Sequence, residues 1–162
     1  MRNLIKLFYL IVLCALFPTK LMATAQQSEK IFINGKKYDM LSCPLERNSI
    51  IHEILEKIKP AKIVTNTSLW RGYVGYWSIK KNTLYLDSLQ FEIEDLEAGD
   101  FVIKTIIPKN ESAFSAYKDN IGIKASWFSG ELRVIQGKLL MYVHMGFDST
   151  FKIEKFLTVK VL

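Results

Sequence analysis

The side chains that could do chemistry in this chain are few, and their spacing narrows the choice. His52 and His144 are the only histidines. Neither has a second ligand at metal-binding spacing, and a structural zinc site needs four nitrogen or sulfur donors. We therefore expect no metal and no cofactor. Ser126, Ser129, Ser149 and Cys43 are candidate nucleophiles, and His144 could serve as a base. The G-x-S-x-G elbow that would present a nucleophilic serine is missing, and Trp127-Phe128-Ser129-Gly130-Glu131 resembles it only superficially. Glu131 and Asp148 could be drawn as the acid pair of a glycosidase, but two carboxylates alone define nothing.

Aromatic and arginine side chains give the stronger pattern. Trp70, Tyr73, Tyr76, Trp77, Trp127, Phe128, Tyr142 and Phe147 fall in two segments, with Arg71 and Arg133 among them. The simplest account is a core and its edges. The sharper account is a binding face, because Trp, Tyr and Arg dominate interface hot spots and aromatic rings offer flat apolar platforms. On that account the binding residues are Trp70, Arg71, Tyr73, Trp77, Trp127, Glu131 and His144. Arg71 shares strand parity with Leu69, Tyr73 and Trp77, so its guanidinium needs a buried acceptor. We expect a carboxylate from the C-terminal segments, Glu131 ahead of Asp148. That pairing would bring the two tryptophan segments together, with His144 at the same mouth.

The elements that must position these residues are mostly strands. Asn34-Gly35 between Ile31–Ile33 and Lys36–Tyr38 predicts a hairpin with a type I′ turn. Ile50, Ile51, Ile54, Leu55 and Ile58 form one apolar stripe at helical period over 49–58. His52, Glu53, Glu56 and Lys57 take the other face. Asn48 or Ser49 can cap the start and Pro60 stops the end. From Thr67 onward the texture is β, with a turn at Lys80-Lys81-Asn82, an ambiguous stretch over 91–96 and a strand over 101–107. Lys109–Asn120 reads as a polar loop. Strands follow over 121–127, 130–135, 139–144 and 151–161. Residues 26–30 read as polar and loose. The fold class is thus mainly β (α+β by content): a largely antiparallel sandwich or partly open barrel with one packed amphipathic helix, forming a single domain over 26–162.

The first 25 residues have a different character. Arg2 and Lys6 precede eleven consecutive apolar residues, Leu7 to Phe17, and Ala23-Thr24-Ala25 has the small-x-small pattern of a signal peptidase site. The run fits a secretory signal peptide and is short for a bilayer span. We expect cleavage before Gln26, export to the periplasm or the extracellular space, and no stable membrane insertion afterwards. Removing Arg2, Lys6 and Lys20 leaves 19 basic against 16 acidic residues, a charge of +3 in place of +6. With basic runs no longer than Lys36-Lys37 and Lys80-Lys81, nucleic acid is an unsuitable partner. Cys14 leaves with the signal, so Cys43 has no intrachain partner, and its apolar setting predicts burial.

The segments Asn34-Gly35-Lys36-Lys37-Tyr38, Pro44-Leu45-Glu46, Trp70-Arg71-Gly72-Tyr73 with Trp77, and Trp127-Phe128-Ser129-Gly130-Glu131-Leu132 through Gly137 to Tyr142-Val143-His144-Met145-Gly146-Phe147 resemble a family of small uncharacterised bacterial proteins. The resemblance covers most of residues 26–162. It implies a shared fold and no particular activity, and the family carries an acid where this chain has Ser126. The sequence reading is thus an exported, non-catalytic binding protein whose partner is another protein, as for an immunity or accessory protein, or an envelope glycan. A hydrolase of an envelope glycan and a structural envelope component are the alternatives.

Overall fold

The computed structural model describes residues 26–95, 97, 99–137, 139–142, 151–153 and 156–161; for 139–142, 151–153 and 156 only the backbone is described. The chain opens with β1 (Glu29–Ile33) and β2 (Lys36–Met40). Asn34 and Gly35 link them at φ of 50° and 75°, the left-handed pair that a type I′ hairpin requires. A 3-10 turn over Pro44–Arg47 leads into α1 (Ser49–Ile58). Asn48 caps α1, its side chain accepting from the Ile50 and Ile51 amides at 2.9 and 3.2 Å. The Lys59 amide closes the last turn on the Leu55 carbonyl, and Pro60 prevents continuation.

β3 (Tyr73–Lys80) and the long β4 (Thr83–Asp95) form a second hairpin. Its turn residues Lys81 and Asn82 also lie at positive φ, 50° and 59°. β4 absorbs the stretch that was ambiguous in sequence and then pairs with β5 (Asp100–Ile106). Beyond come β6 (Ile123–Lys124), β7 (Gly130–Ile135), β8 (Leu139–Tyr142), β9 (Phe151–Ile153) and β10 (Phe156–Val161). One mixed sheet runs β10-β7-β2-β1-β3-β4-β5, with β6 on β4; β8 and β9 pair separately. The sheet is not closed into a barrel.

One pairing departs from the antiparallel rule. β1 lies parallel to β3, with Lys30, Ile31 and Phe32 opposite Tyr76, Trp77 and Ser78. The crossover that parallel strands require runs through β2 and α1. β3 is therefore central, flanked by β1 and β4, and its residues 73–75 and 77–78 are buried on both faces. Ile31, Met40, Trp77, Leu86, Leu89 and Leu132 from the sheet join Ile51, Ile54 and Leu55 of α1 and Leu45 and Phe114 of the 3-10 turns in one buried cluster.

Three expectations are corrected. Lys109–Asn120 is not a plain loop: it holds 3-10 turns over Pro108–Asn110 and Ser112–Tyr117, and Phe114 is fully buried. Within 121–127 only Ile123–Lys124 is strand. On α1, Ile51, Ile54 and Leu55 are buried and Ile58 is half-buried, but Ile50 is 57% exposed. Ile50 stands in the first turn, where the stripe has not yet rotated onto the sheet. Burying a large aliphatic side chain and truncating it to Ala costs about 2–5 kcal/mol, whereas exposed sites stay within roughly 0.5 kcal/mol. Ile54→Ala should therefore lower the unfolding free energy by about 2–4 kcal/mol in urea titration, and Ile50→Ala should change it by less than about 0.5 kcal/mol. Equal losses would mean that α1 docks by another face.

Candidate functional site

Asn66 ends the approach to β3 as a local turn. Its side-chain oxygen accepts from the Ser68 and Leu69 amides, each at 2.9 Å. Gly72 then bonds back to the Leu69 carbonyl at 3.0 Å with φ of 78°. A Cβ there would sit 3.1 Å from Ile63 Cγ2, so this turn needs glycine on two counts. Trp70 and Arg71 thus lie on a turn, not in the strand that their alternation with Tyr73 and Trp77 suggested. Leu69 is buried, Trp70 is 62% exposed, and the Arg71 side chain is almost wholly buried.

Arg71 does meet a carboxylate, but from the opposite end of the chain to the one expected. Its Nε lies 3.7 Å from Glu29 Oε1, and its Nη2 donates to the Gln27 carbonyl at 2.7 Å. Glu131 is exposed on β7, away from Arg71. Asp148 and His144 fall outside the described residues. The physical reason is the parallel β1–β3 pairing, which carries Glu29 alongside the entry to β3. The segment that read as loose is accordingly tied down: the Gln27 amide donates to the Ser68 carbonyl at 2.6 Å, and Gln26 Nε2 to Thr67 O at 2.6 Å.

Glu29 is fully buried. Trp77 Nε1 donates to its Oε2, and the Cys43 thiol hydrogen-bonds to the same carboxyl. Cys43 itself is half-buried, not buried as expected. Gly75 makes this arrangement possible, since a Cβ there would stand 2.7 Å from both Glu29 Oε2 and Trp77 Nε1. Burial pushes the Glu29 carboxyl up from 4.5 to about 7; the Arg71 charge and the Trp77 and Cys43 hydrogen bonds oppose the rise.

Above this cluster lies a cleft of about 600 Å³ between α1, the segment 59–65 and the Trp70–Tyr73 turn. Glu46, His52, Glu56, Lys62, Trp70, Arg71 and Tyr73 line it. Most of its charges are already engaged. The Tyr73 hydroxyl donates to Glu46 Oε1 at 2.5 Å, Lys59 pairs with Glu56, and Arg71 faces Glu29 while its guanidinium stacks 5.6 Å from the Tyr73 ring. Burial, then the charges of Glu29 and Glu46, hold the Tyr73 phenol protonated.

Of the residues singled out in sequence, Trp70, Arg71 and Tyr73 line the cleft. Trp77 lies beneath it. Trp127 packs on Trp77 with ring centroids 6.5 Å apart, donates Nε1–H to the Pro44 carbonyl at 3.3 Å, and meets Tyr117 edge-on at 4.9 Å. The two tryptophan segments therefore meet through Trp77 and Trp127, in the aromatic packing of the core. Glu29, Glu46, His52 and Glu56 were missed. The last three looked like a solvated helix face and its approach, and no local signal marks the wall that faces them. Gly75, a glycine inside a strongly apolar strand, was the available clue to a close approach.

No group of three or more metal-capable side chains occurs among the described residues, and none of their helices is long and apolar enough to cross a membrane. No family model matches the chain, and neither a curated protein nor a solved structure is significantly similar to it.

The Glu29 environment makes stability depend on pH. A carboxyl at about 7 when folded and near 4.5 when unfolded holds its proton in the native state where the unfolded chain has lost it. Its contribution is fully present below pH 4.5 and declines as pH rises through 7. The difference corresponds to a few kcal/mol, on the order of 3. Asp39, where burial is outweighed by hydrogen bonds from Lys30 and Ser28 together with the Lys30 charge, and Asp119, which accepts from the Gly122 amide, are both held below the usual range and lose their contribution only in more acid solution. Urea unfolding at pH 5 and pH 8 should show the wild type losing stability with rising pH and Glu29→Gln nearly level. A slope retained in Glu29→Gln would assign it to another group.

Proposed function

We propose that this chain is an exported, non-catalytic binding protein and that the cleft beneath Trp70 takes a segment of an uncharged, hydroxyl-rich polymer such as an envelope glycan. The observation that carries the reading is a 62% exposed indole at the rim of a pocket of about 600 Å³. Ligand pockets commonly enclose about 300–1,000 Å³, and a flat aromatic face suits the apolar face of a sugar ring. The remaining lining mixes apolar side chains such as Leu55, Ile63 and Phe91 with charged ones, of which Glu56 and Arg71 are ion-paired and Glu46 accepts from the Tyr73 hydroxyl. Such a surface offers apolar contact to one face of a sugar ring and hydrogen-bond donors and acceptors to its hydroxyls. The signal-like first 25 residues support export.

Hydrolysis of the same polymer is a second reading, because Glu46 and Glu56 both line the cleft. A general acid needs a raised carboxyl. Glu56 is shifted the other way by its hydrogen bond from Lys59, and Glu29, whose carboxyl is raised, lies fully buried below. Both facts favour binding over catalysis.

Oligosaccharides prepared from bacterial envelope polymers, titrated into the protein, should change its tryptophan emission. Trp70→Ala should weaken binding by at least about 10-fold, roughly 1.4 kcal/mol, with a melting temperature close to wild type because the ring is exposed. Unchanged affinity in Trp70→Ala would sink the reading. Binding to a protein partner alone, with no saccharide response, would replace the glycan by a protein ligand.

A further inference from the structure

β5 ends the sheet, and among the described residues no strand pairs with its outer edge. It is an unusual edge. Phe101, Val102 and Ile103 are 56%, 39% and 61% exposed, whereas edge strands are commonly guarded by charge, proline or brevity. The hydrogen-bond directions of this edge can be read from its neighbours. The Glu92 carbonyl accepts from Val64 and the Glu94 amide donates to Lys62 O, at 2.8 and 3.1 Å. Glu92 and Glu94 therefore point away from β5, and Phe91, Ile93 and Asp95 point toward it. Their partners Lys104, Val102 and Asp100 use their main-chain groups on β4. Phe101, Ile103 and Thr105 are left with theirs directed outward. The Phe101 amide accordingly takes the side chain of Asp100, at 2.7 Å, in place of a strand partner.

We infer that this edge is a self-association surface: β5 pairs antiparallel with β5 of a second copy about a two-fold axis at Val102. Outward-facing main chains restrict the possible registers to those that set Phe101, Ile103 and Thr105 against one another. Centring on Val102 places Phe101 opposite Ile103 of the second copy, twice, as hydrogen-bonded pairs. The same register sets Asp100 opposite Lys104 of the other copy, also twice. These are non-hydrogen-bonded positions, where side chains approach most closely. The next allowed register, centred on Ile103, loses both charge pairs. Charge complementarity thus selects one register, and an isologous contact of this kind closes as a dimer instead of growing into a fibre. On association the Phe101 amide passes to the Ile103 carbonyl of the second copy, and Asp100 turns to Lys104.

The test uses the charge pairs. Sedimentation equilibrium of the wild-type protein should show a concentration-dependent dimer. Lys104→Glu faces acid with acid and Asp100→Lys faces base with base, so each variant alone should be monomeric where the wild type is dimeric. Mixed in equal amounts, the two should recover a heterodimer, because each end of the ladder again pairs opposite charges. That recovery also shows that both variants are folded. Hydrogen exchange supplies a second readout: the Phe101 and Ile103 amides should gain protection with protein concentration, and those of Val102 and Lys104 should be protected throughout. A wild type that stays monomeric to millimolar concentration, single variants that dimerise like wild type, or a mixture that stays monomeric would each overturn the proposal.

Discussion

A carboxylate with no access to water organises this fold. Glu29, the first residue of β1, engages the Trp77 indole of β3, the Cys43 thiol and, at longer range, the Arg71 guanidinium. A buried acid without partners would be strongly destabilising, and a buried pair that loses one member costs about 3–5 kcal/mol. The surrounding chain is built to meet that demand. Gly75 withholds a side chain so that the indole and the carboxyl can touch. The parallel alignment of β1 on β3 sets Ile31 opposite Trp77, which fixes Glu29 two residues earlier at the mouth of the strand. Buried polar contacts of this type favour one register over its neighbours, since a shift by one residue would replace the Glu29 carboxyl beside Arg71 with Ser28 or with the like charge of Lys30.

From that point the constraint passes outward to the cleft. Arg71 is held by Glu29 and the Gln27 carbonyl, and it lies against the Tyr73 ring. Tyr73 in turn reaches Glu46 at the foot of α1. The turn that carries Arg71 also raises Trp70 into solvent. An exposed indole on a flexible loop would lose entropy on binding; here its neighbours on both sides, Leu69 and Arg71, are anchored, so the ring is pre-positioned. Trp127 completes the support from below by joining Trp77, Phe114 and Tyr117 into one aromatic group.

Local chemistry was legible in the sequence and long-range pairing was not. Asn34-Gly35 gave the first hairpin because positive φ is a property of those two residues. The stripe from Ile51 to Ile58, the Asn48 cap and Pro60 gave α1 for the same local reasons. The alternation through Leu69, Arg71, Tyr73 and Trp77 misled, because apolar parity continues across a turn that only Asn66 and Gly72 reveal. Arg71 was correctly read as needing a buried carboxylate, yet Glu29 was overlooked, since nothing in an isolated sequence signals that β1 and β3 run parallel. The cleft had a similar fate. His52 and Glu56 share the polar face of α1, and they become a site only because the segment after Pro60 folds back opposite them.

The fold and its cleft depend on the state of one side chain, Glu29, which carbon-detected NMR can follow directly. In protein carrying labelled glutamate, the Glu29 carboxyl carbon should titrate with a midpoint near pH 7, and the Trp77 indole N–H resonance should move with the same midpoint because it donates to that carboxyl. A midpoint near the ordinary 4.5, or an indole resonance that ignores the transition, would contradict the claim that a buried Glu29–Trp77 contact organises the fold and its cleft.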